Sequence, residues 1–492
     1  MIVIFSFHLH DNSHAPLYQQ LYAQLRDQIR SGSLPYGSRL PSVRALQAHF
    51  NISKTPIETA YQMLVAEGYA VSRPRSGLFV LNELQPLLRE DVLLTEEAES
   101  RMSNIRSGTQ SNPLRHADRN PLPPVQPSQI VDFRASRVDA SAFPLRLWRR
   151  SVQEALEQHA LELGAYGDPQ GEYAFRATIA DYLRQSRGVQ CGPDQIVIGS
   201  GIRYAASLLV KLLHNVDTLA CEDPGFAPFP DYFRRSGKQV IALPAEQIAA
   251  QIRQSDAGAV YITPSHQFPT GSVLSYGDRE RMLQWAYSRN AYIIEDDYDG
   301  EFRYSGKPIP SLQSLDRSGR VIYIGTFSKA FSPALRMNYI VLPQELVSRM
   351  RSERLPLDAP SRIDQWAMTR FIEQGHWFRH IRRIRGLYGK KHDRLLARIQ
   401  EYFGDHAAVT GHSAGLHIQV TVRTNASSRE LIRLAAEAGV AVYDDSNMLV
   451  GSDSIGANDA PVIYLGFAGL MEKQIDDGIR LLREAWAGIL DE

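Results

Sequence analysis

Cysteine is nearly absent from this chain: two in 492 residues, Cys191 and Cys221, with no C-x-x-C spacing. That argues against a disulfide framework and a cysteine-rich metal site, and it fits a reducing cytoplasm. Nowhere does an apolar run approach the ~20 residues of a membrane span. The opening stretch Met1–Leu9 is apolar but lacks a basic start and a small-residue cleavage site, so it does not read as a signal peptide. Net charge is absent too, since Lys+Arg and Asp+Glu both total 54; only an uneven distribution could point to nucleic acid. Internal repeats are missing, which excludes a solenoid or propeller.

What is present is too long for one ordinary core, so two or more domains are expected. Residues 15–82 read as helices followed by a short hairpin. Residues 83–129 read as a linker, polar and rich in proline (Pro113, Pro121, Pro123, Pro124, Pro127), with one helical patch around 96–105. From residue 130 to 490, short apolar strands alternate with amphipathic helices, which predicts a parallel sheet wrapped by helices.

In the first region Leu17, Leu21, Leu25 and Ile29 keep helical spacing. Ser42 can cap a second helix burying Val43, Leu46 and Phe50, and Ser53 a third burying Ile57, Ala60, Tyr61, Leu64 and Val65. Strands at 69–72 and 78–81 flank the basic tip Arg73-Pro74-Arg75-Ser76-Gly77. The third helix then shows Lys54, Thr55, Glu58, Thr59 and Gln62 outward, as a helix entering a DNA groove does. Residues 15–82 hold seven Lys/Arg and three Asp/Glu, a net +4 in a chain of net zero, which suits phosphate contact. A small helical domain with a solvated polar face has the same pattern.

In the last region an apolar run, Val321–Gly325, opens into a polar turn holding Lys329 beside Thr326 and Ser328, with Arg336 seven residues on. An isolated lysine is usually a solvated charge. Between apolar strands, however, a lysine amine with hydroxyls and a guanidinium is the set that a pyridoxal 5'-phosphate (PLP) site needs: amine for the aldehyde, the others for the phosphate dianion. A second run, Ala291–Ile294, delivers Glu295, Asp296, Asp297 and Tyr298 to a strand end, where open α/β sheets bind ligands. Clustered acids there could hold a metal; with PLP, one carboxylate pairs with the pyridine nitrogen and a tyrosine with the phenolic oxygen. No metal is expected.

The segments PLYQQLYAQLRDQIRSG, RLPSVRAL, NISKTPIETAYQMLVAEGY and RPRSGLFV resemble the GntR-type winged helix. EDPGF, TPSHQFPTG, EDDYDGEF, GTFSK and GHWFRHIRRIRGLY resemble fold-type-I aminotransferases. Together, across nearly the whole chain, they resemble the MocR/GabR/PdxR group of GntR-type transcription regulators. The resemblance implies a multidomain chain: an all-α winged helix-turn-helix plus an α/β PLP-dependent transferase domain, aspartate aminotransferase-like, with large and small subdomains. It implies Lys329 as the Schiff-base lysine, Asp296 on the pyridine nitrogen and Tyr298 on the phenolic oxygen. Thr326, Ser328 and Arg336 would hold phosphate, with Ser200 and Gly201 at a helix start. Phe226 would stack on the ring, and Tyr166 would reach the phosphate of the partner in a homodimer. Arg44, Lys54 and Gly77 would touch operator DNA, flanked by Thr55, Thr59, Arg73 and Arg75.

Four departures stand out. Lys54 replaces the commoner arginine and loses its bidentate fork. Ile202 and Phe226 each remove a hydroxyl that relatives carry. Tyr464 stands about where aminotransferases place the arginine for a substrate carboxylate, leaving Arg134 and Arg137 as candidates; Tyr464 itself reads equally as a core-edge aromatic or a ligand contact. The expected function is a PLP-dependent regulator sensing a small amine, an amino acid or PLP itself. The alternatives are a working aminotransferase with an accessory DNA module, and the same fold without cofactor.

Overall fold

The computed structural model describes residues 17–35, 37–50, 52–66, 69–73, 76–80, 131–304, 310–446, 448–450 and 460–490. The expected linker 83–129, its helical patch and Arg75 lie outside these residues.

Three helices open the fold: α1 (Leu17–Arg30), α2 (Val43–Phe50) and α3 (Lys54–Ala66). Their apolar stripes meet in one small core, where Leu21, Leu25, Leu46, Ile57, Leu64 and Val65 are buried. The Ser42 hydroxyl accepts from the Ala45 backbone N–H at 3.1 Å and caps α2 as its sequence position requires. The Tyr61 hydroxyl donates to the Pro41 carbonyl at 2.7 Å and locks α3 against the loop before α2. An antiparallel hairpin follows, β1 (Ala70–Arg73) and β2 (Gly77–Val80), with Arg73 opposite Gly77. Gly77 has φ +101, and a Cβ there would lie 3.1 Å from the Arg39 guanidinium; the wing tip accepts only glycine without strain.

The larger region is built on a seven-stranded sheet. Its strands are β4 (Ile196–Gly199), β5 (Thr218–Asp223), β6 (Gln239–Pro244), β7 (Ala259–Ile262), β8 (Tyr292–Asp297), β9 (Val321–Thr326) and β10 (Asn338–Val341), in the order β4-β10-β9-β8-β7-β5-β6. β3 (Val131–Asp132) pairs with β13 (Val440–Ala441) outside it. The expectation of a parallel sheet needs correction at one strand. β10 runs antiparallel to both neighbours, β4 and β9. The chain turns back directly through the short segment holding Lys329 and Arg336, whereas a parallel return needs a crossover of a dozen or more residues, usually a helix. The last region adds a three-stranded antiparallel sheet, β11 (Ala407–Thr410), β12 (His417–Val422) and β14 (Val462–Gly466), covered by the helices His376–Phe403 and Glu472–Leu490. Among the described residues no helix is long and apolar enough to cross a membrane.

The winged helix rests on the larger region. α3 packs against the helices Tyr173–Ser186 and His376–Phe403, and the Arg382 guanidinium lies 5.7 Å from the Tyr69 ring centre. Thr59, Gln62 and Met63 line a cleft there with Tyr182, Ser186 and Arg187. The outward stripe expected on α3 is therefore divided: Lys54 and Thr55 are exposed, while Thr59 and Gln62 are half-buried by the neighbouring domain.

Leu64 is fully buried at the centre of the three-helix core. Leu64→Ala should destabilise the winged helix by about 2–5 kcal/mol, the usual range for a cavity of that size. Calorimetry of the full chain should show its early transition move down while the main transition of the larger region stays in place.

Candidate functional site

Side-chain alternation on β8 decides which acid does what. Successive residues point to opposite faces, so Glu295 and Asp297 share one face and Asp296 takes the other. Only Asp296 of the three lines the large cavity at the strand ends. Glu295 accepts the backbone N–H groups of Leu312 and Gln313 at 2.7 and 2.8 Å. Asp297 accepts from Arg187 Nε and from the Tyr323 hydroxyl, both at 2.6 Å. These two carboxylates are thus committed to holding the fold. The same alternation sets Asp296 apart from the other two acids.

The cavity measures about 470 Å³, within the usual range for a small-molecule site. β8 and β9 pair in parallel with Asp296 opposite Ile324 and Asp297 opposite Gly325. That register sets the turn after β9, with Thr326, Ser328 and Lys329, beside Asp296. All four line the cavity with Gly201, Phe226, Tyr298 and Arg336. Eight of the ten residues expected around PLP are therefore brought together. Ser200 is exposed outside the lining, and only its carbonyl is used, accepting from Arg336 Nη2 at 3.1 Å. Tyr166 is fully exposed on the surface of the single chain, away from the cavity.

Each polar group is set by a neighbour. The Tyr261 hydroxyl donates to Asp296 Oδ2 at 2.6 Å. Burial, with Asp297 and Asp299 nearby, pushes the Asp296 carboxyl up to about 7; a cation at its free oxygen would restore the charge. The Tyr298 hydroxyl meets His266 Nδ1 at 2.8 Å, and the same nitrogen lies 2.8 Å from Asp299 Oδ2. The Asn338 side chain accepts the Gly201 N–H at 2.9 Å. Gly201, at φ +119, precedes the helix Ile202–Leu212, and a Cβ on it would lie 2.4 Å from the Arg336 guanidinium. This is a cradle for an anion: a helix start, a guanidinium and two hydroxyls, Thr326 and Ser328, 3.0 Å apart. Lys329 Nζ donates to the Ala135 carbonyl at 2.9 Å, and burial pulls its amine down to about 8.

These residues fit PLP. A buried carboxylate stands ready for a ring nitrogen, a phenol for an oxygen, an anion cradle for phosphate, and a desolvated amine for an aldehyde. Sequence reasoning missed Tyr261, Asn338, His266, Phe268, His417 and Tyr443. His417 Nε2 donates to the Pro269 carbonyl at 2.9 Å, and burial holds the ring neutral. TPSHQFPTG offered the only sequence signal for His266 and Phe268.

At the winged helix, Arg44, Lys54, Thr55 and Gly77 are exposed. Lys54 lies 2.9 Å from Glu58, an exposed pair that constrains it little. Thr59 lies in the cleft described above, so it is not on the free face, and Arg73 closes β1.

Comparison with known proteins agrees with both halves. The family of bacterial regulatory proteins, gntR family, matches residues 17–80, and aminotransferase class I and II matches residues 135–453. The uncharacterized HTH-type transcriptional regulator YdeL of Bacillus subtilis is 37% identical, over 96% of this chain and 97% of its own. The probable rhizopine catabolism regulatory protein MocR of Rhizobium meliloti is 31% identical over 96% and 94%. Among solved structures, the kynurenine aminotransferase of Pyrococcus horikoshii is similar, with a TM-score of 0.65 and 25% identity over 74% of this chain and 92% of that one.

The lowered amine sets a pH dependence. Only neutral Lys329 attacks an aldehyde, and the neutral form grows as pH rises through about 8 rather than the usual 10.5. Capture of PLP by cofactor-free protein, followed by visible absorbance, should accelerate with a midpoint near pH 8. Borohydride should fix the cofactor on Lys329, and Lys329→Ala should abolish the adduct; trapping on another lysine would overturn the assignment.

Proposed function

The chain belongs to the MocR-type transcriptional regulators of the GntR family, and we propose that it senses a small amine, an amino acid or PLP itself in the cavity and answers by changing operator binding. The observation that carries this reading is the Lys329–Asp296–Tyr298 set around one cavity, in a chain whose winged helix packs on the same domain.

Bound in the cavity, PLP supplies a carbonyl that condenses with amines and a ring that withdraws electrons. The protein supplies the rest. Asp296 holds a proton on the ring nitrogen, with Tyr261 fixing its other oxygen. Tyr298 bonds the phenolic oxygen, and Phe226 covers a ring face. Gly201, Thr326, Ser328 and Arg336 bind the phosphate, and Lys329 offers its amine. The cavity's apolar wall, with Phe226, Phe268, Ile324 and Leu416, limits water.

Arg44, Lys54, Thr55 and the Gly77 wing tip form the DNA face in this reading, with Arg73 at the end of β1. A homodimer belongs to it as well. Large apolar side chains are exposed along one stretch, Leu145, Leu161, Leu163, Tyr166 and Tyr173, and apolar surface of that extent is usually covered by a partner. Two winged helices on one operator then bind as a linked pair.

Operator binding by the PLP-loaded chain, titrated with amines, amino acids and free PLP, tests the proposal. Arg44→Ala or Lys54→Ala should weaken specific binding by about 1–3 kcal/mol, the worth of a base-edge contact. Some compound that alters the visible spectrum should also alter operator affinity. Steady turnover near ~10 s⁻¹ with operator affinity indifferent to every compound would establish the enzyme reading instead.

A further inference from the structure

Once the PLP contacts are assigned, one cation in the cavity wall has no task. Among the described residues the lining holds Arg134, Lys329, Arg336 and His417. Lys329 and Arg336 serve the cofactor, and His417 is neutral, its Nε2–H donated to a carbonyl. Arg134 remains. It stands one residue before Ala135, whose carbonyl is 2.9 Å from Lys329 Nζ. The segment 134–136 therefore forms cavity wall beside the Lys329 amine.

Arg134 is oriented, not loose. Its Nε donates to the Tyr443 hydroxyl at 3.0 Å, and its guanidinium carbon is 5.3 Å from the Tyr443 ring centre. The Tyr443 hydroxyl in turn donates to Asp132 Oδ1 at 2.7 Å. Among the described residues every hydrogen bond of the Arg134 side chain is made through Nε, so there both terminal nitrogens keep their donors. Two parallel N–H groups on one rigid plane match a carboxylate.

Charge agrees with geometry. Among the described residues Asp132 is the one acid paired with Arg134, and it is shared: 3.7 Å from Arg134 Nε and 3.3 Å from Arg137 Nη2. One carboxylate against two guanidiniums leaves a net positive charge at the cavity edge. Arg137 is more exposed and does not line the cavity, so it serves to dilute the hold of Asp132. Tyr464, buried on the same wall, brings a hydroxyl and no charge, and burial raises its phenol further from ionisation.

We propose that Arg134, aimed by Tyr443 and Asp132, is the carboxylate anchor of the effector, which is therefore an amino acid and not a simple amine. This rests on the sensing function proposed above and narrows it to a ligand with two heads: an amine directed at the Lys329 side, and a carboxylate held from the N-terminal segment instead of from β14.

The test compares matched ligands on full-length, PLP-loaded protein. L-alanine against ethylamine, and 5-aminopentanoate against butylamine, are titrated by the visible spectrum of the cofactor. At least one acid should bind more tightly than its amine. Arg134→Gln should erase that preference by about 10- to 100-fold, as expected for charge-assisted hydrogen bonds, with amine affinity and cofactor retention unchanged. Arg134→Lys should keep part of the preference, and Arg137→Gln should keep most of it. Undiminished preference for the acid in Arg134→Gln would overturn the anchor while leaving the sensing function standing, as would equal binding of acid and amine by the unaltered protein. If none of the four compounds, nor any wider set of amines and amino acids, changed the spectrum or operator affinity, and free PLP left operator affinity unchanged as well, both would fall.

Discussion

The site depends on taking Asp296 and Lys329 out of water at the ends of two adjacent parallel strands. Burial works on both in the direction of neutrality: the carboxyl rises to about 7 and the amine falls to about 8. A carboxylate and an ammonium in water would need no partner. Desolvated, each gains from a group of complementary kind, so the cavity has a built-in preference for a ligand that offers a basic nitrogen on one side and a carbonyl on the other.

That arrangement forces the surroundings of β8 to absorb two further acids. Glu295 and Asp297 sit in the sequence run beside Asp296 and are equally buried. An unpaired buried charge would cost several kcal/mol, and each has partners, although those of Asp297 all meet Oδ2 and its Oδ1 has none among the described residues. Glu295 caps a short helix, with the buried Arg279 guanidinium 3.8 Å away. Asp297 holds Arg187 and Tyr323. Arg279 spends its own donors on the carbonyls of Leu274, Pro264 and Pro310. A dense polar layer thus lies behind the sheet.

The parts legible in the sequence were those whose chemistry is local. Helical spacing and the Ser42 cap placed the winged helix to within a residue or two. GTFSK and EDDYDGEF named the amine, the acid and the phenol, because strand periodicity carries each to the sheet edge. The groups that position them were hidden, since they come from distant segments: Tyr261 from β7 onto Asp296, Asn338 from β10 onto Gly201, Tyr443 onto Arg134. No local pattern marks a tyrosine as the partner of an arginine 309 positions away. The direction of β10 was also hidden, because alternation of strands and helices does not say which connection lacks a helix. Thr59 and Gln62 on α3 were misplaced for a related reason: a polar stripe reads the same whether it faces solvent, DNA or a neighbouring domain.

That last ambiguity bears on how a ligand could reach the DNA face. The half of α3 that is covered touches a cleft whose wall includes Arg187, and Arg187 is the partner of Asp297. Asp297 adjoins Asp296 on β8, and Asp299 lines both the cavity and the cleft. A ligand moves the winged helix only by binding one docked arrangement better than another. Filling the cavity changes the charge beside Asp296, and both Asp299 and the Asp297–Arg187 pair are charges that would feel it. The guanidinium end of that pair also holds the Ser265 hydroxyl at 2.8 Å, which places it between a buried strand and the surface that α3 covers. The cleft is lined by both domains and neither alone completes it, so in the proposed reading a change at Arg187 would be met directly by α3.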